Sequence, residues 1–248
     1  MSFLKEIFFK LVPKPMLPKR RASILMYHSV SGQKGSFSTV SPEEFQRQMA
    51  YIAGKRISVI PLAELVRRLR AGKMLGGTVV LTFDDGYRDN YMTVFPLLKQ
   101  YGFPATIFVT TDLIGQAQYC TAEELREMHS SGLISIEPHT LSHPKLASLS
   151  RAEAAREVRE SRSALENILG MVPTLFAYPY GSFSDETVDI VYETGFIGAV
   201  TVEEGTVGPD TDPLRLPRNA VDRSTTFSQF RGKVSRAIYW YAILKTWK

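Results

Sequence analysis

Short, continuous apolar runs alternate with helix-forming segments from Ser23 onward, and this alternation constrains the fold most. The runs are SILMYH (23–28), ISVI (57–60), TVVLTF (78–83), ATIFVT (105–110), LISIEP (133–138), TLFAYP (174–179) and IGAVT (197–201), with a shorter stretch, LRLP, at 214–217. An unbroken apolar run, unlike one that alternates with polar residues, suits a strand buried on both faces, as in a parallel sheet covered by helices. The intervening segments carry readable helix starts. Ser41-Pro42-Glu43-Glu44 combines an N-cap, a proline at the first helical position and a capping-box glutamate. Thr121 to Glu124 and Ser150 to Glu153 repeat the box, and Gly102, Gly132, Gly170 and Gly195 stand where helices close. Repeated strand–helix units predict an α/β fold, with a closed or nearly closed β/α barrel fitting best and an open doubly wound sheet as the alternative. No linker divides the chain after residue 22, and 248 residues suit one large domain.

In such a barrel functional groups collect at the C-terminal ends of the strands. His28 ends the first run, Asp84 and Asp85 follow the third, and His139 and His143 follow LISIEP. Tyr178-Pro179-Tyr180-Gly181 closes TLFAYP, while Arg218 and Asp222 follow the last candidate strand. His139 and His143 are four apart, so one helical turn would aim both imidazoles at one point. Two histidines and a carboxylate make a common catalytic zinc set with an open fourth position. Taken alone, Asp84-Asp85-Gly86 also fits a magnesium site in a phosphotransfer enzyme. The two features at one barrel end point to a metal site.

LTFDDGYRDN, HTLSHP and FAYPYG, in this order and spacing, resemble the first three motifs of the polysaccharide deacetylases, carbohydrate esterase family 4 with its NodB homology domain. The resemblance spans roughly Ser23 to Asp222. It implies a deformed (β/α)7 barrel and removal of acetyl groups from glycans with one divalent metal, most often Zn2+, with Co2+, Ni2+ or Fe2+ as alternatives. By position, Asp85, His139 and His143 match the metal ligands and Asp84 the general base. Pro179 and Tyr180 match the Pro-Tyr pair of the third motif and are assigned to substrate, with a backbone N–H near Tyr180 facing the oxyanion.

The chain departs from the family pattern twice. The third motif ordinarily carries an arginine two residues before its proline, where it orients the base, and here that residue is Ala177. Arg218, reaching the same barrel end, is the expected substitute. The family's general acid is a histidine near the C-terminus, yet no histidine follows His143. His28 on the first strand, a neighbour of the last strand in a closed barrel, is the expected acid. This arrangement resembles a branch with permuted motifs that includes enzymes acting on poly-N-acetylglucosamine. His129 is expected on a solvated helix face, and Cys120, the single cysteine, lacks a partner histidine and is read as inert or substrate-adjacent.

The net charge of +5 is uneven: residues 1–23 and 231–248 each carry a net +5, leaving −5 for the rest. Both ends also hold apolar bulk, and both tryptophans, Trp240 and Trp247, lie in the second. Basic residues among Trp, Phe and Leu suit helices lying in an anionic membrane interface, with ordinary terminal helices as the alternative. An acidic body argues against nucleic acid. No run approaches the roughly 18 apolar residues needed to span a bilayer. The expected organisation is a basic amphipathic segment at 1–22, a catalytic domain at 23–230 and a basic amphipathic helix at 231–248. A cytoplasmic protein touching the inner membrane face and acting on an acetylated, lipid-linked glycan is the matching expectation. A catalytically inactive glycan-binding relative and a metal-dependent phosphoesterase are the alternatives.

Overall fold

Six of the apolar runs become strands, and a seventh forms at 219–220, so that the described residues hold seven strands in parallel pairings: β1 (Ser23–Tyr27), β2 (Val79–Phe83), β3 (Ala105–Val109), β4 (Ile134–Pro138), β5 (Leu175–Ala177), β6 (Gly198–Val200) and β7 (Asn219–Ala220). The structure is a computed structural model and describes residues 21–32, 37–73, 75–235 and 237–238. Every residue of β1, β2 and β3 is buried, which is why their sequences do not alternate. Among the described residues seven α-helices connect and cover the strands: α1 (Pro42–Gly54), α2 (Leu62–Arg70), α3 (Phe95–Tyr101), α4 (Ala122–Ser130), α5 (Arg151–Leu169), α6 (Asp185–Glu193) and α7 (Phe227–Lys233). Ser41 caps α1, and the boxes at Thr121/Glu124 and Ser150/Glu153 form as their sequences predict. Gly102 and Gly170 take the left-handed conformation that ends α3 and α5.

Five strands are hydrogen-bonded in the order β4-β3-β2-β1-β7, and β5 pairs with β6. The chain after β6 joins the two groups on one side. The Thr201 N–H donates to the Leu216 carbonyl at 2.9 Å, and Asn219 and Ala220 then pair with Leu25 and Met26 of β1. LRLP is therefore a single bridge at Leu216, and the regular strand lies beyond it. ISVI is likewise one bridge, Val59 to Val79. β3 pairs with β2 only from Leu81 upward, so the edge at Val79 has room for one partner residue.

On the other side, between β4 and β5, side chains replace the ladder. The buried Glu137 carboxylate of β4 accepts the N–H groups of Thr174 and Leu175, both at 2.9 Å. One residue pair higher, the His139 imidazole bonds the Ala177 carbonyl at 2.8 Å. The result is a deformed (β/α)7 barrel in one domain, with a seam closed by two side chains. Ile24, Val80, Phe108, Leu175 and Val200 share an inner core with Leu65, Val66 and Leu69 of α2. Leu25, Leu81, Phe83 and Ile107 face an outer core with Phe45 of α1 and Leu125 and Met128 of α4.

The expected boundary at 230/231 falls inside α7, and Val234, Ala237 and Ile238 are buried in the outer core. Residues 1–20 and 239–248, which hold most of the basic amphipathic sequence, lie outside the described residues.

Burial pushes the Glu137 carboxyl up to about 7, against the pull of Leu175, Ser135 and Thr174 hydrogen bonds and the Arg162 charge. Glu137→Ala leaves two strand N–H groups unsatisfied at the seam, and we expect a loss of about 2–4 kcal/mol in urea unfolding. Glu137→Gln keeps an acceptor for both N–H groups and an N–H for Ser135, and should cost less than about 1 kcal/mol.

Candidate active site

Asp84 is the first residue past β2 and is buried. Arg218, immediately before β7 and wholly buried, grips it with both arms: Nη1 to Oδ1 at 2.6 Å and Nη2 to Oδ2 at 2.7 Å. The same guanidinium donates through Nε to the Thr201 carbonyl at 2.8 Å and through Nη1 to the Thr82 hydroxyl at 3.2 Å. A buried charge pair is tolerable only when its donors and acceptors are satisfied in this way. Burial alone would raise the Asp84 carboxyl; the Arg218 charge, with His139, the Arg218 hydrogen bonds and His28, overrides it and brings the group to about 2. Asp84 is thus an ionised carboxylate with fixed orientation.

Asp85 points elsewhere. Its backbone is left-handed (φ 75°), as is that of Gly86 (φ 77°), so the chain reverses sharply after β2 and adjacent carboxylates diverge. A Cβ on Gly86 would come within 3.1 Å of Val109, which explains the glycine. Asp85 Oδ1 lies 3.4 Å from His143 Nε2 and 3.8 Å from His139 Nε2, and the two Nε2 atoms are 3.2 Å apart. The Ala177 carbonyl can only accept, so His139 carries its proton on Nδ1 and turns a bare Nε2 toward this centre. Burial lowers the His139 pKa despite the nearby Asp84 and Asp85, keeping the ring neutral. Residues 139–143 are not the helical turn their spacing predicts. Thr140 and His143 are left-handed (φ 64° and 65°), and the Thr140 hydroxyl accepts the His143 N–H at 3.0 Å, folding the loop back so that both rings converge.

The three converging residues open into a cleft of about 410 Å³ whose walls include His28, Asp84, Tyr87, Tyr119, Tyr180 and Val202. His28 is half-buried just past β1; Asn90 Nδ2 donates to its carbonyl at 2.9 Å, and Asp89 holds the next two residues through the Ser29 hydroxyl and the Val30 N–H. Pro179 is buried beneath the left-handed Tyr180 (φ 58°), whose exposed ring stands against His143 with centroids 4.6 Å apart. Tyr87 and Tyr119 stack with centroids 5.2 Å apart. Burial and the Asp85 carboxylate push the Tyr87 hydroxyl up.

Other singled-out residues take structural positions. Asp222 accepts from the Ser224 N–H and hydroxyl in a turn before α7. His129 is half-buried and its Nδ1 has no partner among the described residues, rather than standing in solvent, because α4 turns that face partly toward its neighbours. Cys120 is buried with its thiol pushed up to about 12 by burial and Glu124, and it donates to the Tyr87 carbonyl at 3.3 Å. Asp89, Asn90 and Glu157, which brace the loops bearing His28, His139 and His143, were hidden in the sequence. Only the Asp-Asn pair in YRDN carried a signal, two side chains suited to bonding backbone.

A profile described as polysaccharide deacetylase matches residues 71–199. The Bacillus subtilis protein YxkH is 35% identical over 208 residues, which is 84% of this chain and 74% of that one. The chain belongs to the polysaccharide deacetylase family. A second relative, the poly-beta-1,6-N-acetyl-D-glucosamine N-deacetylase of Staphylococcus epidermidis, is 28% identical, with 73% of this deacetylase and 67% of the relative covered. Among solved structures, the Streptococcus pyogenes deacetylase PplD in complex with acetate superposes with a TM-score of 0.81 at 26% identity, covering 88% of this chain and all of that one.

Because Asp84 is held at about 2, below its ordinary 3.8, the folded deacetylase favours the ionised form. That stabilisation is complete above the unfolded value and is lost as pH falls toward the folded one, on the order of 2 kcal/mol in all. In urea unfolding of metal-free protein, the acid limb below about pH 4 should be shallower for Asp84→Asn than for the wild type.

Proposed function

We propose that this polysaccharide deacetylase hydrolyses the N-acetyl group of amino sugars in a glycan, using one zinc ion held by Asp85, His139 and His143. The observation that carries the reading is the separation of two carboxylates by role. Asp85 faces the histidines, and Asp84 stands beside them under the Arg218 fork. Tetrahedral zinc ligands at 2.0–2.1 Å lie about 3.4 Å from one another. The donor spacings of 3.2, 3.4 and 3.8 Å straddle that value, so small side-chain shifts would suffice to seat the ion. When bound, the cation supplies a Lewis acid and an acidified water at the open position.

The chain's own groups complete the hydrolysis. Asp84, fixed by Arg218, accepts the proton of the attacking water. The Tyr180 backbone N–H donates to the oxyanion that develops on the acetyl carbonyl. His28, which also lines the cleft, gives a proton to the sugar nitrogen as the C–N bond breaks, yielding acetate and a free amine. The exposed Tyr180 ring offers a face for a sugar. The named activity of the Staphylococcus epidermidis relative supports an N-acetylglucosamine polymer as the substrate class. The phosphoesterase reading is weaker. Among the described residues the cleft presents two carboxylates, and Arg218 occupies one of them.

The basic amphipathic termini support a further reading, peripheral contact with an anionic membrane where lipid-linked glycans are presented. Deleting residues 1–20 and 239–248, while keeping the buried Val234, Ala237 and Ile238, should abolish cosedimentation with phosphatidylglycerol vesicles. Unchanged cosedimentation would remove the membrane reading.

Elemental analysis of purified protein should give about one zinc per chain, lost in His139→Ala and His143→Ala. Asp84→Asn should retain the metal yet lower acetate release from N-acetylglucosamine oligomers about 10²–10⁴-fold, and His28→Gln should lower kcat with KM nearly unchanged. Absence of metal after reconstitution, or full activity in Asp84→Asn, would overturn the mechanism.

A further inference from the structure

The loop between the two histidines is held from two sides in a conformation its residues do not favour. Residues 139–143 contain two left-handed non-glycine residues, Thr140 (φ 64°) and His143 (φ 65°). A β-branched residue such as threonine resists that conformation and keeps it only where the surroundings impose it. From one side, the N–H groups of Thr111 and Asp112 reach the Thr140 and Leu141 carbonyls at 3.2 and 2.9 Å. From the other, a single side chain makes three bonds. Glu157 Oε2 accepts the N–H groups of Leu141 at 3.0 Å and Ser142 at 2.9 Å, and Oε1 accepts the Ser142 hydroxyl at 2.7 Å. Glu157 stands on α5, whose start is fixed by the Ser150/Glu153 capping box. It is not among the residues lining the cleft.

His139 has a second tether, the Ala177 carbonyl, whereas His143 is held chiefly through its own loop. We propose that Glu157 is a positioning residue that clamps this loop to α5, keeps the His143 imidazole on the metal centre, and so sets the affinity for the cation. The proposal rests on the Asp85-His139-His143 reading above. A carboxylate collecting two N–H groups and a hydroxyl makes charge-assisted bonds with little slack. Outer groups that orient ligands in this way commonly govern metal affinity about 10–100-fold. The bonds serve the loop more than the barrel: Leu141 is half-buried and Ser142 exposed, so water can satisfy both N–H groups when the carboxylate is removed.

The test is a competition titration of Zn2+ against a chromophoric chelator, with Co2+ absorption as a second readout, on wild type, Glu157→Ala and Glu157→Gln. Unfolding of each metal-free protein is measured alongside. Glu157→Ala should weaken Zn2+ binding about 10–100-fold and alter the Co2+ visible spectrum as His143 is released, with the metal-free unfolding midpoint nearly unchanged. Glu157→Gln offers one oxygen to both N–H groups and an N–H to Ser142, so it should bind within about threefold of wild type. Wild-type affinity and spectrum in Glu157→Ala would overturn the proposal while leaving the metal centre intact. Equal losses in both variants, with a lowered metal-free midpoint, would make Glu157 a general support of α5 and also overturn it. Failure of the wild type to bind either cation would remove the metal-centre reading, and the proposal with it.

Discussion

The interior of this barrel is organised around a guanidinium that has no access to water. Arg218 arrives just before β7, takes both oxygens of Asp84 beyond β2, and gives two further donors to Thr201 beyond β6 and Thr82 within β2. Neither charge could stay buried alone, since either would be left without its counter-ion in a poor dielectric. The pair therefore ties the position of the last strand to that of the second. With the bridge at Leu216 and the short pairing of β7 with β1, it brings the ends of the sheet together. The same contact fixes the carboxylate proposed as the base, so closure of the fold and orientation of Asp84 are one interaction.

The opposite seam has a parallel logic. Where β4 and β5 do not form a ladder, Glu137 and His139 cross the gap. His139 does two jobs with two nitrogens, bonding β5 through Nδ1 and presenting Nε2 to Asp85 and His143. Left-handed backbone is concentrated here as well. Of five described non-glycine residues with positive φ, Asp85, His143 and Tyr180 line the cleft, Thr140 lies buried between its two histidines, and only Arg56 lies elsewhere. Local backbone preference is overruled where side chains must converge.

Much of this was legible in the sequence for definite reasons. Continuous apolar runs mark buried parallel strands, and Ser, Thr and Glu at capping positions mark helix starts. The placement of His28, Asp84, His139 and His143 at one barrel end follows from where strands stop, whereas Arg218 stands immediately before β7 rather than after a strand and reaches Asp84 through its long side chain. Illegible were features that depend on partners far along the chain. HTLSH carries the spacing of a helical turn, but its path is set by Thr140, by Thr111 and Asp112, and by Glu157 on another element. ISVI has the composition of a strand and finds one open position on β2. A glutamate on a helix does not announce which loop it will hold. The glutamate within the apolar run LISIEP was a visible anomaly, yet its partners on β5 could not be read from it.

The route of the chain through the site has a consequence for biosynthesis. One wall of the cleft is contributed by His28, just after the first strand, while the group that holds Asp84 comes from Arg218 before the seventh. The ribosome releases the first long before the second. A nascent chain could display every motif histidine and both aspartates and still lack the partner that allows Asp84 to be buried as an anion. On the proposed mechanism, hydrolytic competence therefore waits for Arg218, at nearly the moment the barrel becomes a closed body.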